Sequence, residues 1–259
     1  MGRLQDKVAI VVGASSPGGL GEAIARRFHK EGAHVVVSGR RMAPLEALAA
    51  DIDGLAVACD ITDEAAIAGL VAATQARFGR LDIGVNSAGD YIPAPVSTMD
   101  HDVLLHETKV HYVGPVMFIK HCANAMAASG GGSIMTLSSL TVELTGGGLA
   151  GYAGAKAGVD KVVRIAAVEY GPARVRINSL APGLVETPMT AGLFGVPSII
   201  NAMTYETPLG ALCTADEVAA GALWLADDEC TMTGDLLRVS GGGHLRRLPT
   251  QDEMMGTRA

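Results

Sequence analysis

The sequence predicts a single α/β domain, a doubly wound parallel sheet with helices on both faces. Short apolar runs alternate with segments of helical periodicity along the 259 residues, which is the pattern of βαβ units. The apolar runs do not alternate with polar residues, as expected for strands that are buried on both faces. No internal repeat, low-complexity segment or linker interrupts the alternation, so we expect one domain over 1–259.

The elements follow from these runs in chain order. Strands are predicted at 8–12, 35–37, 55–59, 83–86, 133–137, 175–180 and 236–239. Helices are predicted at 20–31, 43–51, 64–78, 103–128, 152–170 and from a Thr214–Glu217 capping box through Leu225. The long stretch 188–212 breaks this rhythm and is expected to be a substrate lid. The polar tail 246–259 is expected to be loosely ordered.

Composition excludes several functional classes. With 49% apolar residues and a net charge of −7, the chain should have a large core and should repel nucleic-acid phosphates. No apolar run reaches the ~18 residues of a membrane span, and the first residues leave no room for a signal peptide. Four scattered cysteines without a CxxC pair argue against a disulfide scaffold or a zinc site. We therefore expect a cytoplasmic protein without a metal.

A glycine-rich loop lies between the first strand and the first helix. Glycines there let the backbone approach a pyrophosphate at the helix N-terminus, although a plain tight turn is the alternative. The spacing differs from GxGxxG. The residues expected to face the phosphates are Gly13, Ser15, Ser16, Gly19, Leu20 and Gly21.

The end of the second strand bears on the choice of cofactor. An acidic residue usually binds the ribose there in NAD-binding chains, but this sequence has Gly39 followed by Arg40. Arginine suits a 2′-phosphate, so NADP(H) is favoured and NAD(H) is the alternative, with a solvated basic turn as the non-functional reading. Asp60, at the end of the third strand, is a candidate adenine contact or a helix cap.

The strongest catalytic signal combines Ser139 with Tyr152 and Lys156. The last two are four residues apart on one helix face. The pKa of a free tyrosine is near 10, so a tyrosine base at neutral pH needs neighbouring cations that stabilise the phenolate. Lys156 is such a cation, and an oxidised nicotinamide would be a second. Without Ser139, the pair would be typical of an ordinary amphipathic helix.

These motifs resemble the short-chain dehydrogenase/reductase family over residues 5–243. The resemblance implies a Rossmann-like fold and hydride transfer between nicotinamide and an alcohol or ketone. Tyr152 would exchange the proton, Ser139 would polarise the substrate oxygen, and Lys156 would hold the ribose and lower the Tyr152 pKa. It also implies a homotetramer and further cofactor contacts, which are Asp60, Ile61, Asn86, Ala88, Gly89, Pro182, Gly183, Val185 and Thr187.

Four positions depart from the family pattern. The glycine loop has five residues between Gly13 and Gly19, where the family usually has three, and Val12 replaces a threonine. Ser87 replaces an asparagine. His111 stands where the family has a catalytic asparagine, so it is a candidate catalytic residue, titratable near neutral pH. The alternative for His111 is packing at a subunit contact.

The expected substrate is a bulky hydrophobic alcohol or ketone. Apolar residues on three loops would line its pocket, namely Tyr91, Leu144, Leu193 and Phe194. A steroid, terpenoid or alicyclic compound fits such a pocket, so the chain is expected to be hydroxysteroid dehydrogenase-like. The competing functional hypothesis is a non-catalytic nucleotide-binding scaffold or sensor. Enoyl reductases of the family space tyrosine and lysine more widely, which argues against that chemistry.

Overall fold

The computed structural model describes residues 2–256, and its centre is one parallel β-sheet. The sheet has seven strands in the order β3-β2-β1-β4-β5-β6-β7. The strands are β1 (Val8–Val12), β2 (His34–Gly39), β3 (Leu55–Ala58), β4 (Ile83–Asn86), β5 (Gly132–Leu137), β6 (Val175–Pro182) and β7 (Leu236–Val239). All six neighbouring pairs are parallel, which confirms the predicted fold class.

Helices cover both faces of the sheet. They are α1 (Leu20–Lys30), α2 (Met42–Asp51), α3 (Glu64–Phe78), α4 (His101–Thr108), α5 (Gly114–Ala128), α6 (Ala150–Tyr170), α7 (Ala191–Phe194), α8 (Pro197–Tyr205), α9 (Ala215–Ala226) and α10 (Gln251–Met255). The Thr214 capping box predicted for α9 is present, with reciprocal hydrogen bonds to Glu217. Within residues 2–256, no helix has the length and apolar character to span a bilayer.

Strand residues alternate between two hydrophobic cores. Val35 and Val37 pack with Phe28 under α1, α2 and α9, whereas Val36 packs with Phe118 under α3, α5 and α6. Both sides of the sheet are therefore buried, as the unbroken apolar runs predict. The rigid sheet fixes the positions of the loops at its edges.

The carboxyl ends of the strands meet at one edge of the sheet. The chain runs outward from β1 through β2 to β3 and then returns to place β4 on the other side of β1. The edge above β1 and β4 is thus the topological switch point, where ligands bind in open α/β sheets. The predicted glycine loop and catalytic residues follow strands at this edge.

The predicted helix 103–128 is interrupted. A π-helical segment, Lys109–Val113, separates α4 from α5. Pro115 has no N–H to donate to the carbonyl of His111 four residues earlier. A Cβ on Gly114 would lie 2.4 Å from the carbonyl oxygen of Ile61, so this turn passes unusually close to the neighbouring chain segment. Such bulges often occur at functional sites, and His111 lies within this one.

The predicted lid and tail contact each other. The stretch 188–212 contains α7 and α8. The polar tail folds back, with α10 capped by Thr250, and the Ser198 hydroxyl donates a 2.6 Å hydrogen bond to the Met254 carbonyl. Thr250 thus caps a short helix within the polar tail. The last three residues of the tail lie outside the described range.

Candidate active site

Ser139 follows β5 and begins a short 3₁₀ turn. Its hydroxyl oxygen accepts hydrogen bonds from the Thr141 backbone N–H at 3.2 Å and the Thr141 hydroxyl at 3.0 Å. It also hydrogen-bonds Tyr152, an interaction that lowers the pKa of the tyrosine. The serine predicted from sequence therefore lies beside the tyrosine, held by its own turn.

Lys156 lies one helical turn beyond Tyr152 on α6. Its ammonium is 5.7 Å from the centroid of the Tyr152 ring and donates a 2.5 Å hydrogen bond to the carbonyl of Leu137. Burial lowers the pKa of Lys156 to about 8, because desolvation disfavours the charged amine. The i, i+4 spacing thus brings both groups to the carboxyl end of β5, as predicted.

The pKa of Tyr152 differs from the sequence-based expectation. Burial raises it to about 12, the Ser139 hydrogen bond opposes this rise, and the charge of Glu107 adds to it. The charge of Lys156 is not among the causes of this shift, and burial dominates the pKa of Tyr152 in the protein alone. Activation of the tyrosine therefore needs more than the lysine four residues away.

Asp160 is a third buried group on the same face of α6. Its carboxylate accepts hydrogen bonds from the Ser138 hydroxyl at 2.7 Å and the Ser179 hydroxyl at 2.6 Å. Its negative charge raises the pKa of Lys156 against the effect of burial. The sequence analysis missed Asp160, although its spacing of four residues from Lys156 was a usable signal.

His111 is buried beside the tyrosine. Its side chain is 1% exposed, and its ring meets the Tyr152 ring edge-on with centroids 4.9 Å apart. Nε2 lies 2.9 Å from the Asp90 carbonyl oxygen. Burial and the charge of Lys156 lower the pKa of His111 to about 4, so the ring is neutral near pH 7. His111 therefore packs inside its own chain, and the expectation of a neutral-pH titration is wrong.

Gly89 makes room for this imidazole. A Cβ at Gly89 would lie 2.8 Å from Cε1 of His111, closer than side chains approach. Two carboxylates also surround the ring, those of Asp90 and Glu107. The sequence analysis did not single out either, although Glu107 and His111 have i, i+4 spacing on adjoining helical turns.

The predicted substrate residues occupy different places. Tyr91 meets Tyr152 edge-on at 5.8 Å between centroids. Leu144 instead packs against a small cluster that includes Leu140. Leu193 and Phe194 lie half-buried in α7. A cleft of about 320 Å³ between α8 and the tail has none of the predicted site residues in its lining. Tyr91 is thus the predicted substrate residue that contacts Tyr152.

The glycine loop packs closely against the loop after β4. Gly13 has φ +88°, and a Cβ there would lie 2.5 Å from the Ala88 backbone nitrogen. Gly19 precedes α1 without a capping side-chain bond among the described residues, so backbone N–H groups of the first turn are free for an anion. The Glu22 carboxylate accepts the Gly18 N–H at 2.7 Å. The loop therefore fits a pyrophosphate, with Gly18 already engaged.

Arg41 rather than Arg40 contacts the glycine loop. Arg41 donates to the Ser15 carbonyl at 2.6 Å and to the Ser16 hydroxyl at 2.7 Å. Arg40 is exposed, and its charge contributes to lowering the pKa of Asp60. Both arginines follow β2 at the carboxyl edge of the sheet, and the sequence pattern alone did not show which of them contacts the loop.

Asp60 does not cap the following helix. Its carboxylate accepts hydrogen bonds from the Thr62 N–H at 2.9 Å and the Thr62 hydroxyl at 2.8 Å, whereas Asp63 caps α3. Hydrogen bonding to Thr62 is the main cause of its lowered pKa. The cap alternative for Asp60 is wrong. Ile61, beside it, is buried.

The remaining predicted cofactor residues follow β4 and β6. Asn86 accepts the Ala88 N–H at 3.1 Å and so shapes the loop that contains Gly89. Pro182 ends β6, and Gly183 and Val185 are next to it. Thr187 donates its N–H to the Thr190 hydroxyl at 3.0 Å. All these segments begin at the carboxyl edge of the sheet.

Comparison with known proteins identifies the family to which the chain belongs. A family model described as Enoyl-(Acyl carrier protein) reductase matches residues 13–244. The chain is 35% identical to cis-4-hydroxycyclohexanecarboxylate dehydrogenase of Sinomonas cyclohexanicum, over 92% of this chain and 96% of that protein. The chain belongs to the short-chain dehydrogenase/reductase family.

Other short-chain dehydrogenases/reductases agree. The 2,5-dichloro-2,5-cyclohexadiene-1,4-diol dehydrogenase LinX of Sphingobium indicum is 34% identical, over 93% of this chain and 97% of that protein. The solved structure of a short-chain type dehydrogenase/reductase from Mycobacterium ulcerans has a TM-score of 0.93 at 29% identity, covering 98% of this chain and 95% of that one. The chain is therefore an oxidoreductase acting on CH–OH groups, in a family that uses NAD(P)(H).

Proposed function

We propose that this short-chain dehydrogenase/reductase interconverts a hydrophobic secondary alcohol and its ketone, with Tyr152 as the proton-exchanging residue. The observation that carries the proposal is the convergence of Ser139, Tyr152 and Lys156 at the carboxyl edge of the sheet, next to the glycine loop. A scaffold protein has no need for this buried trio. The four-residue spacing of tyrosine and lysine favours alcohol over enoyl chemistry.

The chain's own residues position the substrate and move the proton. The Ser139 hydroxyl donates to the substrate oxygen, and the Tyr152 hydroxyl exchanges a proton with the same oxygen. Lys156 holds the ribose hydroxyls and supplies positive charge beside the phenol. When bound, the nicotinamide supplies the hydride donor or acceptor. Edge-on contacts of Tyr152 with His111 and Tyr91 fix the plane of the phenol ring.

The cofactor is proposed to be NADP(H), with NAD(H) as the competing cofactor. Gly39 leaves no acidic side chain at the end of β2 to bind a ribose 2′-hydroxyl or to repel a 2′-phosphate. Arg40 is exposed at that edge. A guanidinium binds a phosphate through two hydrogen bonds. Arg41 is committed to the glycine loop, which leaves Arg40 as the phosphate ligand.

The substrate is proposed to be an alicyclic alcohol of the size of a substituted cyclohexanol. The two relatives named above are dehydrogenases of a hydroxycyclohexanecarboxylate and of a dichlorocyclohexadiene diol. Tyr91 offers an aromatic wall beside the reacting groups. Within 188–212 the sequence has no lysine or arginine, which disfavours phosphorylated substrates in the lid.

A cytoplasmic homotetramer is the proposed assembly. All four cysteines are unpaired and buried, as expected in a reducing compartment. Ile165 and Val168 on α6 are exposed apolar side chains, 47% and 78% accessible. Large apolar residues exposed along a helix face are typical of a subunit contact.

The decisive experiment combines cofactor binding with turnover. We expect Tyr152→Phe to lower kcat on cyclohexanol-type substrates by at least about 100-fold, because acid–base catalysis contributes on that scale. Cofactor affinity, followed by the fluorescence of Trp224, should persist. Tyr112→Phe, a tyrosine on the π-helical segment outside the trio, is the matched control and should keep its activity.

Two results would contradict the proposal. Turnover that survives in Tyr152→Phe would remove the tyrosine from the mechanism. Cofactor binding without turnover of any secondary alcohol or ketone would favour the scaffold hypothesis.

A further inference from the structure

Asp90, Glu107 and His111 form a compact group, here termed the carboxylate–histidine cluster. One ligand atom from each residue lies within 4.8 Å of the other two. Nε2 of His111 is 3.4 Å from Oδ1 of Asp90 and 3.5 Å from Oε2 of Glu107. Asp90 comes from the loop after β4, and the other two come from the last turn of α4 and the π-helical segment. The fold thus brings together three ligand residues that lie within 21 positions of one another along the chain.

The cluster is buried and its polar atoms lack partners. Glu107 is 0% and His111 1% exposed. Among the described residues, Oε2 of Glu107 and Oδ1 of Asp90 are buried without a hydrogen-bond partner, and these are the two oxygens nearest to Nε2 of His111. Leaving carboxylate oxygens buried and unpaired is costly. The ammonium of Lys156 donates its hydrogen bond to the Leu137 carbonyl and not to these carboxylate oxygens, so a bound cation would supply the direct partner that they lack.

The spacing of the cluster fits a metal ion. Tetrahedral coordination with metal–ligand bonds of about 2.0–2.1 Å separates neighbouring ligand atoms by roughly 3.3 Å. The two separations measured from His111 Nε2 are 3.4 and 3.5 Å. One imidazole nitrogen and two carboxylate oxygens are a donor set that Zn²⁺ accepts. We propose that Asp90, Glu107 and His111 bind a divalent cation of the Zn²⁺ type.

The groups behind the cluster are arranged as outer partners of a metal site. The second carboxylate oxygen of Asp90 is 2.7 Å from Nε2 of His106. The second oxygen of Glu107 accepts the Ile92 N–H at 3.0 Å. Outer hydrogen bonds of this kind orient carboxylate ligands. In both residues, one oxygen is held in place and the other points to the shared centre.

The ion has a route into the cluster and a place in the active site. The Asp90 side chain is 34% exposed, so solvent reaches one ligand. Binding requires Nε2 of His111 to release its proton and the hydrogen bond to the Asp90 carbonyl. The ion would join the loop of residues 90–92 to α4, beside the ring of Tyr152. This site is independent of the proposed dehydrogenase activity, because binding of the ion needs neither substrate nor cofactor.

Direct metal titration tests the site. We expect metal-free protein to bind one equivalent of Zn²⁺ by calorimetry, and Co²⁺ to give the visible absorption of a tetrahedral complex. Glu107→Gln removes a charged ligand and should weaken binding by about 100-fold or more. Asp90→Asn, at a partly exposed position, should weaken it too. Circular dichroism of each variant checks that it folds.

A surface pair supplies the matched control. His101 and Asp102 have a similar nitrogen–oxygen distance of 3.5 Å but are 81% and 94% exposed, so His101→Asn should leave Zn²⁺ affinity unchanged. Zn²⁺ binding of equal strength in folded Glu107→Gln and Asp90→Asn would overturn the proposal. So would failure of the wild type to bind Zn²⁺. If the wild type does not bind Zn²⁺ and Glu107→Gln raises Tm, a proton shared between the two carboxyl groups, and not a metal ion, neutralises the cluster.

Discussion

At the scale of single residues, burial decides the chemistry of α6. Tyr152, Lys156 and Asp160 follow one another at four-residue intervals, and desolvation shifts the pKa of each toward the uncharged form. The negative charge of Asp160 raises the pKa of Lys156 against the effect of burial, and so favours the ammonium form. Two serine hydroxyls in turn stabilise the carboxylate form of Asp160. The positive charge of the active site therefore depends on a residue that touches none of the reacting atoms.

Replacing Asp160 tests this dependence. In Asp160→Asn the pKa of Lys156 should fall below its present value of about 8, since the group that raises it is gone. A lysine with a lower pKa loses its proton at lower pH, so the alkaline limb of the kcat/KM profile should move down by roughly one pH unit. The measurement is a pH–rate profile on a cyclohexanol-type alcohol.

The control is a substitution on the same helix, α6, at a residue other than Asp160. Glu169→Gln, exposed near the end of α6, should leave the profile in place. An alkaline limb that does not move in Asp160→Asn would show that Asp160 has a packing role alone.

At the scale of elements, loops at the carboxyl edge form the proposed nucleotide site. The enlarged glycine loop is held from two sides, by Glu22 on the Gly18 N–H and by Arg41 on Ser15 and Ser16. Both contacts lie within the stretch between Gly13 and Gly19, which is two residues longer than the family pattern. The hydrogen bonds to Ser15 and Ser16 come from Arg41 and not from the adjacent Arg40.

Substitutions of the two arginines should change the affinities for NADPH and NADH in different ways. Arg41→Ala loses two hydrogen bonds to the loop, each worth about 1 kcal/mol, and should weaken NADPH and NADH alike by up to roughly 30-fold. Arg40→Asp should weaken NADPH much more than NADH, since a carboxylate repels the 2′-phosphate. Fluorescence titration of Trp224 with both cofactors measures each effect. Equal losses for the two cofactors in Arg40→Asp would favour NAD(H) as the natural cofactor.

At the scale of the whole molecule, the exposed apolar face of α6 lies on the opposite side of the helix from its buried residues. Val168 is 78% exposed, a large apolar side chain that a subunit contact would cover. Val168→Glu should convert the proposed tetramer to smaller species, because an unpaired carboxylate is costly in an apolar contact. Light scattering after size exclusion measures the mass.

Val96 gives a control of equal exposure. It is also 78% exposed but lies in the loop before α4, so Val96→Glu should leave the mass unchanged. A wild-type monomer, or equal masses for wild type and Val168→Glu, would contradict the proposed contact.

The sequence by itself determined the sheet and the capping box, and it placed Tyr152 and Lys156 one turn apart on one helix. Unbroken apolar runs such as Val8–Val12 require burial on both faces, and the i, i+4 spacing of Tyr152 and Lys156 holds on any α-helix. These features are local, and so a single chain pattern predicts them. The family resemblance of Ser139, Tyr152 and Lys156 supplied the expected reaction.

Only the tertiary structure decided how charges are shared. It placed Arg41 on the glycine loop, the helix cap at Asp63 instead of Asp60, and a buried neutral state at His111. It also brought Asp90 beside Glu107 and His111. Spacing along the chain says nothing of desolvation or of partners from other elements. Both arise when separate segments exclude water together, and they fix the protonation states on which the proposed chemistry depends.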